Sequence, residues 1–168
     1  INSIGARGDT KAVGQLSSLV SDRNREVAGA SLSALGKMGG EQAEKALAKA
    51  KANVAPQLER AWADAYLNCA DKFLVEGRTD AALAVYRQLY VPGQPSPIRI
   101  AAMRGIVRAE PKNAQATIVQ VLKGQDPMLQ AAAVALIAEI PGEEIVKAVT
   151  SELDSLSPTG QVQVLSAL

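Results

Sequence analysis

The side chains best able to do chemistry in this chain are few, and their spacing sorts them into two groups. Arg60, Asp64 and Asn68 recur every fourth residue, as do Arg104 and Arg108. On a helix that interval stacks side chains on one face. A face of this kind holds acidic groups through charge-assisted hydrogen bonds. The corresponding positions further along turn apolar: Met128, Ala131, Ala135 and Val162, with Ile100 where the two zones meet. A polar zone beside a small apolar one suits an extended or helical peptide. Arg60, Asp64, Asn68, Ile100, Arg104, Arg108 and Met128 are therefore the candidate partner-contacting residues. The simpler reading of the same charges is a ladder in which Arg104 and Arg108 pair with Asp64 and Glu139 on neighbouring helices. Exposed pairs of that sort contribute roughly 0–1 kcal/mol each.

Other chemistry is largely excluded. The chain has no histidine, which removes His-based triads, most zinc sites and histidine general bases. Cys69 is the only cysteine; it has no disulfide partner and no histidine to activate it. No phosphate-cradling P-loop string occurs, and the glycines fall at the ends of helical patterns. Glu143 and Glu144 open a helical pattern, where acids favour the positive helix terminus. Trp62 lies one turn from Leu58 and Tyr66, on an apolar side, so it reads as core. No catalytic, cofactor-binding or metal-binding residue is assigned. With 18 basic and 17 acidic residues the net charge is +1, and no basic tract tracks a nucleic-acid backbone. No apolar run reaches the roughly 20 residues a membrane span needs. No small-molecule site stands out, so the expected partner is a protein or peptide, whose identity the sequence does not supply. Neither does it assign a compartment.

The elements that must position these residues follow from a repeating column: Ile4, Leu35, Tyr66, Ile106, Ile137 and Leu168. Every interval is 31 residues except one of 40. Val27, Leu58, Ile98, Leu129 and Gly160 stand eight residues before the last five anchors, and Ala30, Ala61, Ala101, Ala132 and Gln163 five before. These columns have helical spacing, with small residues where two helices approach closely. Thirteen before the anchors stand the turn formers Asp22, Asn53, Gly93, Gly124 and Ser155. Pro56, Pro127 and Pro158 share a column suited to the first helical position, with Pro97 one residue off it. Ser96, Asp126 and Ser157 precede three of these prolines and can cap the orphan amides. Separate apolar faces (Val13, Leu16, Leu19, Val20; Ala114, Ile118, Val121, Leu122; Ile145, Val146, Val149, Leu153) precede the turns. Each unit therefore reads as a helix A, a short turn and a helix B. The composition agrees: 48% hydrophobic, 3% aromatic, and alanine-rich, which favours helix and close helix contact.

The stretches VAGASLSALGKMGG at 27–40 and LQAAAVALIAEIPG at 129–142 resemble HEAT repeats, in particular the short bacterial type of about 30 residues. The resemblance covers nearly the whole chain. It implies an all-α, right-handed α–α superhelix (a solenoid) of stacked antiparallel helix pairs, about five repeats. The expected repeats are 9–40, 41–77, 78–110, 111–142 and 143–168, with 1–8 as the end of a preceding one. The resemblance also implies that the B helices line the concave side, where the candidate residues would stand. HEAT-repeat hydroxylases hold two irons with histidines and are excluded by the lack of histidine. HEAT-like DNA glycosylases grip DNA with tryptophan, aspartate and basic residues; here Trp62 and Asp64 are two residues apart and face different sides. The phycobiliprotein lyase-like HEAT group matches in repeat length, but nothing specifies a chromophore.

The 40-residue interval is the departure from the pattern. Tyr66 is followed by Gly77 after eleven residues, whereas Leu35 is followed by Gly40 after five, so helix B of the second unit is expected to run about six residues further. Tyr66, Cys69, Ala70, Phe73, Gly77, Ala82, Tyr86 and Pro95 stand at spacings that resemble a tetratricopeptide hairpin, with Leu89 in place of the usual small residue. The expectation is one such hairpin within the array. Residues 1–8 align with 32–39, the tail of a helix B, and neither end has a polar capping unit. The chain therefore reads as a segment of a longer protein. Its expected function is a non-catalytic protein-interaction scaffold; the alternatives are an architectural accessory segment of a larger enzyme or a lyase-like chaperone.

Overall fold

A computed structural model describes residues 10–140 and 143–167, and every regular element in them is helical. The chain divides into two compact units, Ile1–Leu89 and Tyr90–Leu168. The first holds α1 (Val13–Leu19), α2 (Arg25–Met38), α3 (Gly40–Ala50), α4 (Glu59–Val75) and α5 (Thr79–Leu89). The second holds α6 (Ser96–Ala109), α7 (Ala114–Lys123), α8 (Pro127–Glu139), α9 (Glu144–Ser151) and α10 (Pro158–Ala167). Short 3-10 turns precede α1, α4 and α7, and others follow α3 and α9. The expected turn residues Asp22, Asn53, Gly93, Gly124 and Ser155 all lie outside the α-helices. The anchors Ile4 and Leu168, and the tail 1–8, fall outside the described residues.

In the first unit α2 packs on α4, α3 packs on both, and α1 packs on α2 and α3. Asn24 opens α2 by accepting the Glu26 amide at 2.9 Å. Gly39 and Gly40 follow, at φ 58° and 75°. Two consecutive left-handed residues reverse the chain from α2 into α3 without a loop, which only glycine does at low cost. The anchors Leu35 and Tyr66 are fully buried. The helices meet closely at Gly36, where an added Cβ would stand 2.7 Å from the Ala65 Cα.

Helix α4 extends nine residues past Tyr66, and α2 only three past Leu35. The six extra residues match the sequence expectation, about 9 Å of helix at 1.5 Å per residue. The helix then stops in a Schellman motif: Gly77 adopts φ 75°, and the Arg78 amide donates back to Phe73 at 2.8 Å. Tyr66 contacts Gln88 while Asp71 contacts Tyr86, and this reversed order makes α4 and α5 antiparallel. The first unit ends at Leu89, inside the expected 78–110 repeat, so α5 is grouped with α4.

In the second unit α6, α8 and α10 pack in succession, and α7 packs on α6, α8 and α9. Met103, Ile118, Leu122, Leu129, Ala133, Ile145, Val149 and Val164 form its core. Pro127 and Pro158 are the first residues of α8 and α10, as their column predicts. Two expectations need correction. Ser96 does not cap α6: it is the first helical residue, and its hydroxyl donates to Asp126 at 2.9 Å. Ile100 does not project from the surface but is half-buried and packs against the core. The anchor Ile137 is likewise only partly covered.

The tight contact at Gly36 is testable against Gly29 on the same helix, where an added Cβ would meet only Leu58 at 3.7 Å. Gly36→Ala should cost about 1–3 kcal/mol in urea unfolding, because the obstacle is backbone. Gly29→Ala should be neutral or stabilise by up to about 1 kcal/mol.

Candidate partner-binding surface

Each candidate residue is set by the helix that carries it. On α4, Arg60 and Asp64 face solvent one turn apart, with Nε 3.9 Å from Oδ2, and Asn68 is exposed one turn further on. On α6, Arg104 reaches Glu139 of α8 at 3.7 Å, while its own Nε is buried without a partner. Arg108 is exposed at the next turn. The Arg60 group belongs to the first unit and the Arg104 group to the second. Both arginines engage a carboxylate of their own unit, and both pairs are exposed, so each contributes roughly 0–1 kcal/mol.

The apolar zone is a surface feature of α8 and α10. Glu139 is the sole charged residue on α8, and α10 carries none. A helix without a polar face is ordinarily buried on all sides. Here Met128, Val162 and Leu165 are 55%, 64% and 61% exposed, and Ala131, Ala135 and Ala138 are exposed between them. An apolar hollow of about 300 Å³, lined by Val134, Ile137, Val146 and Val164 among others, opens beside them.

Asp126 caps its helix as its place before Pro127 predicts, and it also gathers Ser96 and Arg99, which that place does not predict. Asp126 caps α8, accepting the Met128 and Leu129 amides at 3.0 and 3.2 Å with Oδ1. Its Oδ2 accepts the Ser96 hydroxyl at 2.9 Å and Arg99 Nη1 at 2.8 Å. Burial pushes the Asp126 carboxyl up, but the Leu129 amide, the Ser96 hydroxyl, the Met128 amide and the Arg99 charge together hold it below the usual value. Arg99 also lies over the Tyr90 ring, 5.9 Å from its centroid.

Thirty-one residues later, at Gln130 after Arg99, the same construction appears with neutral groups. Gln130, fully buried, donates to the Ser157 hydroxyl oxygen at 2.5 Å and to the Leu122 carbonyl at 3.1 Å. Ser157 in turn caps α10 by accepting the Gly160 amide at 3.1 Å. Both Arg99–Asp126 and Gln130–Ser157 span 27 residues, from the fourth residue of one helix to the cap of the next helix but one. Gln161 repeats the carbonyl bond to Leu153 at 3.1 Å. The signal was present in the sequence: Arg99, Gln130 and Gln161 stand seven residues before Ile106, Ile137 and Leu168. Asp126, Pro127 and Met128, with Tyr90, Arg99 and Gln120, line an open groove of about 780 Å³.

The remaining reactive side chains serve packing. Trp62 is buried, donates to the Leu47 carbonyl at 2.8 Å and stacks on Tyr66 at 5.3 Å between centroids. Cys69 is fully buried; burial, then the Glu44 charge, pushes its thiol up to about 12 against the opposing pull of Lys72. Glu143 and Glu144 start α9 and both approach Lys147. Among the described residues no three of Cys, Asp and Glu converge as metal ligands, and no helix is long and apolar enough to cross a membrane. No family model matches the chain, and no curated protein matches it in sequence.

Two outcomes test this geometry. Asparagine caps a helix as well as aspartate, so Asp126→Asn isolates the charge. It should lower stability at neutral pH by about 1–2 kcal/mol in urea unfolding. Because the folded carboxyl sits below its unfolded value of 3.8, that stability is present above the unfolded value and is lost as pH falls through the folded one, so the two proteins should converge in acid. For Cys69 the raised value means a protonated thiol, so a disulfide reagent at pH 8 should label unfolded protein only; fast labelling of the native protein would contradict its burial.

Proposed function

We propose that this chain is a right-handed α–α superhelix of HEAT-like antiparallel helix pairs, with α4 and α5 as one tetratricopeptide-like hairpin, and that it acts as a non-catalytic protein-interaction scaffold. The recurrence of side-chain bonds at a fixed 31-residue register, Gln130 to Leu122 and Gln161 to Leu153, supports the repeat reading. The observation that carries the functional reading is the exposed, nearly charge-free face of α8 and α10. Contiguous apolar surface of this kind marks an interaction site. Its alanines let another backbone come close, while Met128, Val162 and Leu165 offer the larger contacts. The fitting partner is a peptide or helix with an apolar side.

The arginine zones have a smaller part in this reading. Arg60 already holds Asp64 in the first unit, and Arg104 holds Glu139 in the second, so Arg104 steers acidic partners of the α8 face rather than anchoring them. A purely architectural role within a larger enzyme draws support from those same pairs, but it leaves the apolar face without a purpose.

Ala131→Asp combined with Val162→Asp tests the proposal, since both side chains are exposed. Stability should stay within about 0.5 kcal/mol of the unmodified protein, while cross-linked partners should be lost. Arg104→Glu with Arg108→Glu should reduce recovery mainly at low salt. Equal partner recovery by the Ala131→Asp/Val162→Asp protein would overturn the assignment.

A further inference from the structure

Asp126 and Arg99 share one hydrogen bond but are unequally satisfied. Asp126 receives the Ser96 hydroxyl, Arg99 Nη1 and the amides of Met128 and Leu129. Those donors fill the roughly four lone-pair sites of a carboxylate. Arg99 has a whole fork of N–H donors, and among the described residues only the bond to Asp126 draws on it. Its Nε is buried without an acceptor and out of a ligand's reach, and Nη1 serves Asp126, which leaves Nη2 as the spare donor. The side chain is 20% exposed and lines the groove of about 780 Å³. That groove thus has donors to spare and no carboxylate oxygen left to accept. Its other walls include the Tyr90 ring, Pro127 and the Met128 side chain, with the Gln120 amide exposed at the edge.

We infer that this groove takes a peptide carboxylate, with a neighbouring apolar side chain of the same peptide against Tyr90, Pro127 and Met128. With Nη1 on Asp126 and Nε buried, the Nη2 amino group is the donor that meets the carboxylate, through a charge-assisted hydrogen bond. The inference rests on the peptide-binding reading of α8 and α10. Met128 belongs both to that apolar face and to the groove, so one peptide can lie on the face and end at Arg99. The groove then fixes where the peptide stops and which way it runs.

The test compares two probes of one sequence: an acetylated pentapeptide of leucine, alanine and phenylalanine with a free C-terminal carboxylate, and the same peptide amidated. The acid should bind about tenfold more tightly, the usual range for a charge-assisted hydrogen bond in a partly dry site. It should also shift the backbone amide resonances of Gly124, Gln125 and Met128. Gln120→Glu puts a like charge in the groove without touching the Arg99–Asp126 pair, and should abolish the preference for the acid. Arg99→Gln should do the same, with circular dichroism to verify folding. Equal binding of acid and amide, or a preference that survives Gln120→Glu, would overturn this inference and leave the α8–α10 reading intact. Failure of either peptide to bind at millimolar concentration would overturn both.

Discussion

Close approach between short helices is the constraint on which the rest of this structure depends. Helices of 7 to 17 residues are marginal alone and owe their stability to packing. Their stripes are rich in alanine, so each burial gains little unless the backbones come near one another. Gly36 against Ala65 shows how near: there is no room for one more methyl group between α2 and α4. Gly160 does the same at the start of α10, where an added Cβ would stand 2.5 Å from the Leu122 carbonyl oxygen. Small residues at these points let the larger ones interlock around them.

The two units solve the accompanying polar problem differently. The first buries aromatic side chains and places their polar tips on partners: Trp62 on the Leu47 carbonyl, Tyr66 on Glu44 and Tyr86 on Asp71. A hydroxyl has one proton, so with Glu44 accepting it, the Gln88 amide must present its NH2 to Tyr66. The second unit has no buried aromatic of that kind. It links the fourth residue of one helix to the cap of the next helix but one, through Arg99–Asp126 and then Gln130–Ser157. Each link satisfies a helix terminus and sets the register of neighbouring helices together. Each link also leaves one buried atom unbonded, Arg99 Nε and Gln130 Oε1, a cost that is set against the bonds it makes.

Much of this was legible in the residue pattern, for reasons that can be located. The turns at Asp22, Asn53, Gly93, Gly124 and Ser155, the prolines opening α8 and α10, the six-residue extension of α4 and the burial of Trp62 and Cys69 all depend on local chemistry or on helical period. Ser96 was misplaced because serine before proline has the local form of a cap, and nothing in the neighbouring sequence shows that Asp126, 30 residues away, takes its hydroxyl. Ile100 was misplaced because helical spacing gives the direction of a side chain but not how far the neighbouring helix extends over it.

The chain by itself therefore determined the all-helical class, the turn positions, most of the helix termini and the lack of histidine chemistry. These are set by periodicity, by backbone preferences of Gly and Pro, and by composition, all of which act over a few residues. The pairing of Arg104 with Glu139 and an outward apolar zone were readings that the tertiary structure decided between, and it alone brought Arg99, Ser96 and Asp126 together beside a groove. Those outcomes depend on which helices lie side by side and how much of each is covered, and contacts between residues about 30 positions apart carry that information only once the chain has folded.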